Sequence, residues 1–307
     1  MGFERLLGNE GVKKVLRNEI AVNKSSGTYL FYGPKELNKL DFAYGFAKGL
    51  ICPEIEDDFC DECKLCKSIN KGSYPDIELV EPDDGWIKID RIREVIKNAS
   101  STSYSGNRKV IIITDINSVR TEAANALLKT IEEPSEGTFF ILLSGDLNIL
   151  PTIKSRSIKI KFNPITPREI GVSKEEYEFF EGNVNDIIAY KDIDYNINER
   201  LDYKEISGKI EQYLENPEII VKADIIKCVL DYLDKKDYMQ ELEKLEFAES
   251  IEKVVGKENR SFVKELLKIF TKKTDQYEKI SELFKIYSSI SYNLNIPLVL
   301  YNFFLEL

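Results

Sequence analysis

The sequence predicts a doubly wound α/β domain over residues 1–163, followed by an all-α remainder. Two observations lead there. Apolar, β-branched or aromatic runs occur at residues 28–32, 77–80, 110–113, 139–143 and 158–162, several of them nearly continuous, with helical stretches between them. Runs without polar alternation suit parallel strands covered on both faces. Beyond Pro164 and Pro167 no strand-like run recurs.

The individual elements have local reasons. Ala123, Leu127 and Ile131 recur at i, i+4 and i+8, and Pro134 stops that helix. Further on, Phe262, Leu266, Ile269 and Phe270 share one helical face, as do Tyr277, Ile280, Phe284 and Tyr287. Pro297 fits the first turn of a last helix, behind Asn295 or Ile296. The polar stretch 191–199 reads as a linker between a small helical module, 164–200, and a larger helical C-terminal domain, 201–307.

Composition narrows the function classes. The 307 residues hold 43 basic and 53 acidic side chains, a net charge of −10. Hydrophobic residues make up 43%, enough to bury a sizeable core. No run of about 18 apolar residues exists, so no membrane-spanning helix is expected. The opening Met1-Gly2-Phe3-Glu4-Arg5 has no apolar signal region, and a cytoplasmic location is expected. Histidine is absent. That excludes Ser-His-Asp triads, Cys-His dyads, His-ligated metals and His acid/base steps. Residues 1–163 carry 23 basic and 24 acidic side chains, leaving 20 basic and 29 acidic for the rest. An acidic back half argues against general DNA coating, which needs a basic surface.

Gly33-Pro34-Lys35-Glu36-Leu37-Asn38-Lys39-Leu40 follows the first strand, where a phosphate loop would lie. A working loop reads G-x-x-x-x-G-K-[ST], with glycines for the backbone cradle, Lys for the phosphates and a hydroxyl for Mg²⁺. Gly33 and Lys39 are in register, but Asn38 replaces the second Gly and Leu40 replaces the hydroxyl. Glu36 would repel phosphate. The alternative is an ordinary strand-to-helix turn. The next ATPase element is an Asp-Glu pair, Asp for Mg²⁺ and Glu for water. Here Asp115 is followed by Ile116, which cannot polarise water. No ATP or Mg²⁺ is therefore expected in this site.

Cys52, Cys60, Cys63 and Cys66 fall within fifteen residues, spaced C-x7-C-x2-C-x2-C. Short C-x2-C steps aim thiolates at one tetrahedral centre. The expected ligand is structural Zn²⁺; an Fe–S cluster is the alternative. Cys228 lies in an apolar helical stretch and reads as a core residue. Arg156, within Ser155-Arg156-Ser157, sits just before the last strand. An arginine there can project to a neighbouring subunit and neutralise charge on a γ-phosphate; the alternative is a surface arginine in a salt bridge.

The pieces together resemble a family. Ala123-Ala124-Asn125-Ala126-Leu127-Leu128-Lys129-Thr130-Ile131-Glu132-Glu133-Pro134 is similar to the "NALLKTLEEP" signature of bacterial clamp-loader subunits, which are AAA+ proteins. Leu150-Pro151-Thr152-Ile153-Lys154-Ser155-Arg156-Ser157 resembles their "LPTIxSRC" motif, with Ser157 for Cys. Phe3 to Gly8, Tyr29 to Pro34, the four-cysteine insert and Ile89-Asp90-Arg91-Ile92-Arg93 resemble it too. So does Glu181-Gly182-Asn183-Val184-Asn185-Asp186, similar to the lid module, with Asn185 where a lid arginine is expected. The C-terminal third matches weakly, mostly around Asn293 to Leu307.

The departures at Asn38, Leu40 and Ile116, with Ser155-Arg156 kept, are similar to the non-hydrolysing delta-prime branch of that family. The resemblance implies an AAA+ type P-loop sheet with an inserted zinc module at 52–66, a small helical lid and a helical collar. It implies Cys52, Cys60, Cys63 and Cys66 as zinc ligands and Arg156 as a trans arginine finger. Implied partners are the gamma/tau ATPase subunits and the delta subunit of DNA polymerase III. The sliding clamp and primer-template DNA follow through the assembled hetero-oligomer, with no membrane. Two other readings stay open: a hydrolysing gamma/tau type subunit, and a zinc-stabilised interaction module on an inactive AAA+ scaffold.

Overall fold

The computed structural model describes residues 2–34, 37–83, 85–105, 108–256, 259–275, 278–288 and 295–307. Glu36 of the loop, Tyr277 of a predicted helical face, Met1 and Asn293 lie outside the described residues, as does the Tyr287 side chain. The chain divides into two compact units, Met1–Gly171 and Val172–Leu307.

The first unit is built on five parallel strands: β1 (Gly27–Tyr32), β2 (Ile77–Val80), β3 (Lys109–Ile113), β4 (Thr138–Ser144) and β5 (Ile158–Lys161), in the order β2-β3-β4-β1-β5. Its helices are α1 (Glu10–Ala21), α2 (Lys39–Ile51), α3 (Lys64–Asn70), α4 (Ile89–Ala99), α5 (Thr121–Glu132), α6 (Pro151–Ser155) and α7 (Pro167–Ile170). Every residue of β3 and β4 is buried, as their unbroken Val, Ile, Leu and Phe runs require. On one face Leu30, Ile111, Ile113, Phe140 and Leu142 pack with Ile92 and Val95 of α4 and Leu127 and Ile131 of α5. On the other face Tyr29 meets Phe46 of α2 edge-on at 4.8 Å, and Phe42 meets Phe162 at 5.1 Å. Each such buried side chain contributes about 1.5–3 kcal/mol. The run 158–162 alternates Ile with Lys before Phe162. β5 pairs only with β1 and is an edge strand, so Ile158, Lys159 and Lys161 are exposed.

The second unit is helical among the described residues: α8 (Lys174–Phe179), α9 (Val184–Tyr190), α10 (Ile206–Glu215), α11 (Ile219–Lys235), α12 (Glu241–Val255), α13 (Arg260–Lys273), α14 (Ile280–Ser288) and α15 (Ile296–Glu306). Its core gathers Tyr232, Phe247, Phe270, Phe303 and Phe304, with Tyr232 and Phe247 stacked at 4.2 Å. Cys228 is fully buried there, and burial pushes its thiol up to about 12. Asn295 caps α15 and Pro297 sits in its first turn. One predicted face needs correction. Phe284 is 54% exposed, and among the described residues of α14 it is Leu283 that packs into the core, because the helix turns that neighbour inward. Residues 191–199 carry contacts of their own: Tyr190 donates to the Tyr195 carbonyl, and Tyr195 donates to Asp224 of α11. Lys222, on α11, bridges Asp186 of α9 and Glu265 of α13 at 3.0 and 2.7 Å. Burial disfavours its charge, but the two carboxylates prevail and hold it protonated. Among the described residues no helix is long and apolar enough to cross a membrane.

Candidate functional site

The loop after β1 leaves the C-terminal edge of the sheet, where open α/β folds bind ligands. Gly33 is buried at φ 150°, and a side chain there would collide with the Phe162 carbonyl oxygen. Only glycine fits. Gly33 N–H donates to the Ser144 carbonyl at 3.3 Å. Lys39 begins α2 and is 5% exposed. Its ammonium donates to the Gly33 carbonyl at 2.8 Å and to the Pro34 carbonyl. The lysine therefore closes the loop on itself. Asn38 is buried where a glycine would open the cradle, and its Oδ1 has no partner among the described residues. Leu40 is half-buried and offers no oxygen.

Asp115 follows β3, two strands away from Gly33. Its carboxylate accepts the Asn117 N–H at 3.1 Å and caps the short 3-10 turn Ile116–Ser118. The Ser144 hydroxyl oxygen, at the end of β4, lies 2.6 Å from Asn117 Oδ1. A hydrogen-bonded path thus runs from Gly33 through Ser144 and Asn117 to Asp115. Ile116 is buried, with its side chain in the core cluster rather than in the loop space. Ser144 and Asn117 escaped sequence reading, since no motif spacing marks them.

The cysteines converge. Their four Sγ atoms lie within 4.8 Å of one another, with Cys52–Cys60 at 3.6 Å and Cys60–Cys66 at 4.0 Å. Four thiolates about 2.3 Å from a zinc ion would stand roughly 3.8 Å apart, so the cluster fits a tetrahedral metal. Cys52 closes the C-terminus of α2, and Cys63 caps α3, accepting the Cys66 N–H at 3.4 Å. Cys60 Sγ accepts N–H groups from Cys63 at 3.2 Å and Glu62 at 3.4 Å. Burial opposes its ionisation, but these donors prevail and bring it down to about 7. Burial pushes Cys52 and Cys66 up. A buried set of sulfurs with one favoured thiolate calls for a cation to ionise the rest.

Asp58 anchors this insert to the chain start. Its carboxylate accepts Phe3 N–H at 3.0 Å, Phe59 N–H at 2.8 Å and Arg17 Nη2 at 2.9 Å.

Arg156 caps the C-terminus of α6. Its Nε donates to Glu132 Oε2 at 2.6 Å, and its Nη1 donates to the Thr152 carbonyl at 3.1 Å. The salt bridge of the plainer reading is thus present. Nη2 donates to nothing among the described residues. The structure does not bring Arg156 to the chain's own phosphate loop through any hydrogen bond or ion pair among the described residues.

A family model described as DNA polymerase III, delta subunit, matches residues 8–166. DNA polymerase III subunit delta' of Bacillus subtilis is 37% identical over 160 residues, 52% of this chain and 49% of that protein. Subunit tau of the same organism is 35% identical over 201 residues, 62% of this chain and 35% of that protein. Subunit delta' of Pseudomonas aeruginosa is 36% identical over 135 residues, 43% and 41% respectively. The chain thus spans about half the length of these relatives or less. A solved gamma subunit-related protein of Thermotoga maritima shares the fold at TM-score 0.59 and 17% identity, over 95% of this chain and 97% of that one. With more than half of its residues matched by that model, this chain belongs to the DNA polymerase III delta-subunit family, among clamp-loader proteins related to delta-prime, gamma and tau.

Proposed function

We propose that this chain is a non-hydrolysing clamp-loader subunit of the delta-prime type, acting in DNA replication. On this reading it joins gamma/tau ATPase subunits and a delta subunit in a hetero-oligomer. The assembly places a sliding clamp on primer-template DNA in the cytoplasm. Residues 1–163 form its AAA+ domain with a zinc module at 52–66, residues 164–200 its lid, and residues 201–307 its collar. Cys52, Cys60, Cys63 and Cys66 hold structural zinc.

The observation that carries the reading is Lys39 tied to the carbonyls of Gly33 and Pro34. A phosphate-loop lysine serves a nucleotide by reaching its β- and γ-phosphates. Leu40 and Ile116 supply neither Mg²⁺ ligation nor a water-activating base. Arg156 then gives the subunit its one contribution to chemistry. Glu132 engages its Nε and Thr152 its Nη1, and guanidinium matches phosphate oxygens bidentately. In GTPases an equivalent finger supplies about 10³–10⁵ in rate.

The tau match, which extends over more of this chain than the delta-prime match, favours a hydrolysing gamma/tau type subunit as the second reading. The two separate on the purified chain. With Mg²⁺ and ATP it should release phosphate no faster than a buffer blank, and a Lys39→Ala variant should not differ from it. Turnover that disappears with Lys39→Ala would establish the gamma/tau reading instead.

A further inference from the structure

We propose that Glu132 is a positioning residue for Arg156, and the inference rests on the reading of Arg156 as a trans finger. Glu132 is the last residue of α5, and Glu133 caps that helix. Acidic side chains at a helix C-terminus face the negative end of the dipole and are locally unfavourable. A residue that breaks a local rule needs a compensating role. Glu132 finds one across 24 residues of sequence, at Arg156 Nε, 2.6 Å away. The pair is half exposed on the carboxylate side, so its contribution to stability is small.

Its geometric effect is larger. A guanidinium has five N–H donors in a fixed plane. Glu132 takes the Nε donor and the Thr152 carbonyl takes one on Nη1. Two elements, α5 and α6, thereby fix both the position and the plane of the group. Nη2 and the second Nη1 hydrogen remain to donate. A terminal phosphate oxygen on a neighbouring subunit would meet a guanidinium already oriented, and no rotamer freedom would be lost at the reaction step. Glu132 touches no substrate and acts through Arg156.

The test uses loaders assembled with the full chain carrying Glu132→Ala, Glu132→Gln or Arg156→Ala. Clamp- and primed-DNA-stimulated ATPase gives kcat and KM for ATP, and gel filtration checks assembly. Glu132→Ala should lower kcat by about 10- to 100-fold with KM and assembly unchanged, the scale of a misplaced catalytic group. Glu132→Gln keeps an acceptor for Nε and should return kcat to within roughly threefold of wild type. Wild-type kcat in Glu132→Ala, beside an inactive Arg156→Ala, would overturn the positioning role and leave the finger standing. Equal losses in the Ala and Gln variants, or a loss of assembly or a rise in KM in place of the kcat effect, would overturn it as well. An active Arg156→Ala loader would instead remove the finger reading beneath it.

Discussion

Lys39 and Asp76 show what a side chain's position in the sequence leaves open. Lys39 stands in phosphate-loop register, yet its ammonium bonds the carbonyls of its own loop. Asp76 drew no attention in the sequence, yet it is 2% exposed and organises residues 104 and 105. Its carboxylate accepts Tyr104 N–H at 2.7 Å, Ser105 N–H at 2.9 Å and the Ser105 hydroxyl. Burial works against its charge, but these donors prevail and hold it below the usual carboxylate range. A depressed folded value means stability that is complete above the unfolded pKa, near 3.9, and lost as pH falls through the folded one. Urea unfolding between pH 6 and pH 2 should therefore show a falling acid limb that Asp76→Asn flattens. The variant should also lose about 2 kcal/mol at pH 7. An unchanged acid limb would mean that other carboxylates govern it.

At the scale of elements, the cysteine insert is the part most fully legible beforehand. Thiolate chemistry and C-x2-C spacing specify a metal centre without reference to the rest of the fold. The purified chain should contain about one zinc per molecule. Cys63→Ser, or removal of the metal by a chelator, should lower Tm by roughly 5–10 °C, because metal binding is coupled to folding. A metal-free chain of undiminished Tm would remove the site. The anchoring of that insert was not legible. Asp58 reaches Phe3 over 55 residues, and Glu132 reaches Arg156 over 24; periodicity reports neighbours within an element, not pairs between them. The buried strands were readable because β3 is unbroken apolar over residues 110–113 and β4 over residues 139–143. Residues 158–162 alternate Ile with Lys instead, and their place at the sheet edge is decided by topology. Phe284 and Leu283 are adjacent apolar residues, and only packing chooses which turns inward.

On the scale of the whole molecule, charge and chemistry divide along the chain. The near-neutral α/β portion holds the tied-down loop, the cysteine cluster and Arg156, while the acidic helical portion holds an aromatic core and no thiol cluster. On the proposed reading, such a subunit would keep a fixed geometry while its neighbours cycle and would affect rate only through what it presents to them. The most direct measurement is the clamp- and DNA-stimulated ATPase of the assembled loader with wild-type chain and with Arg156→Ala. The account predicts normal assembly and turnover reduced by about 10³-fold or more in the variant. Unchanged turnover in an intact Arg156→Ala assembly would contradict it and leave the chain a purely architectural role.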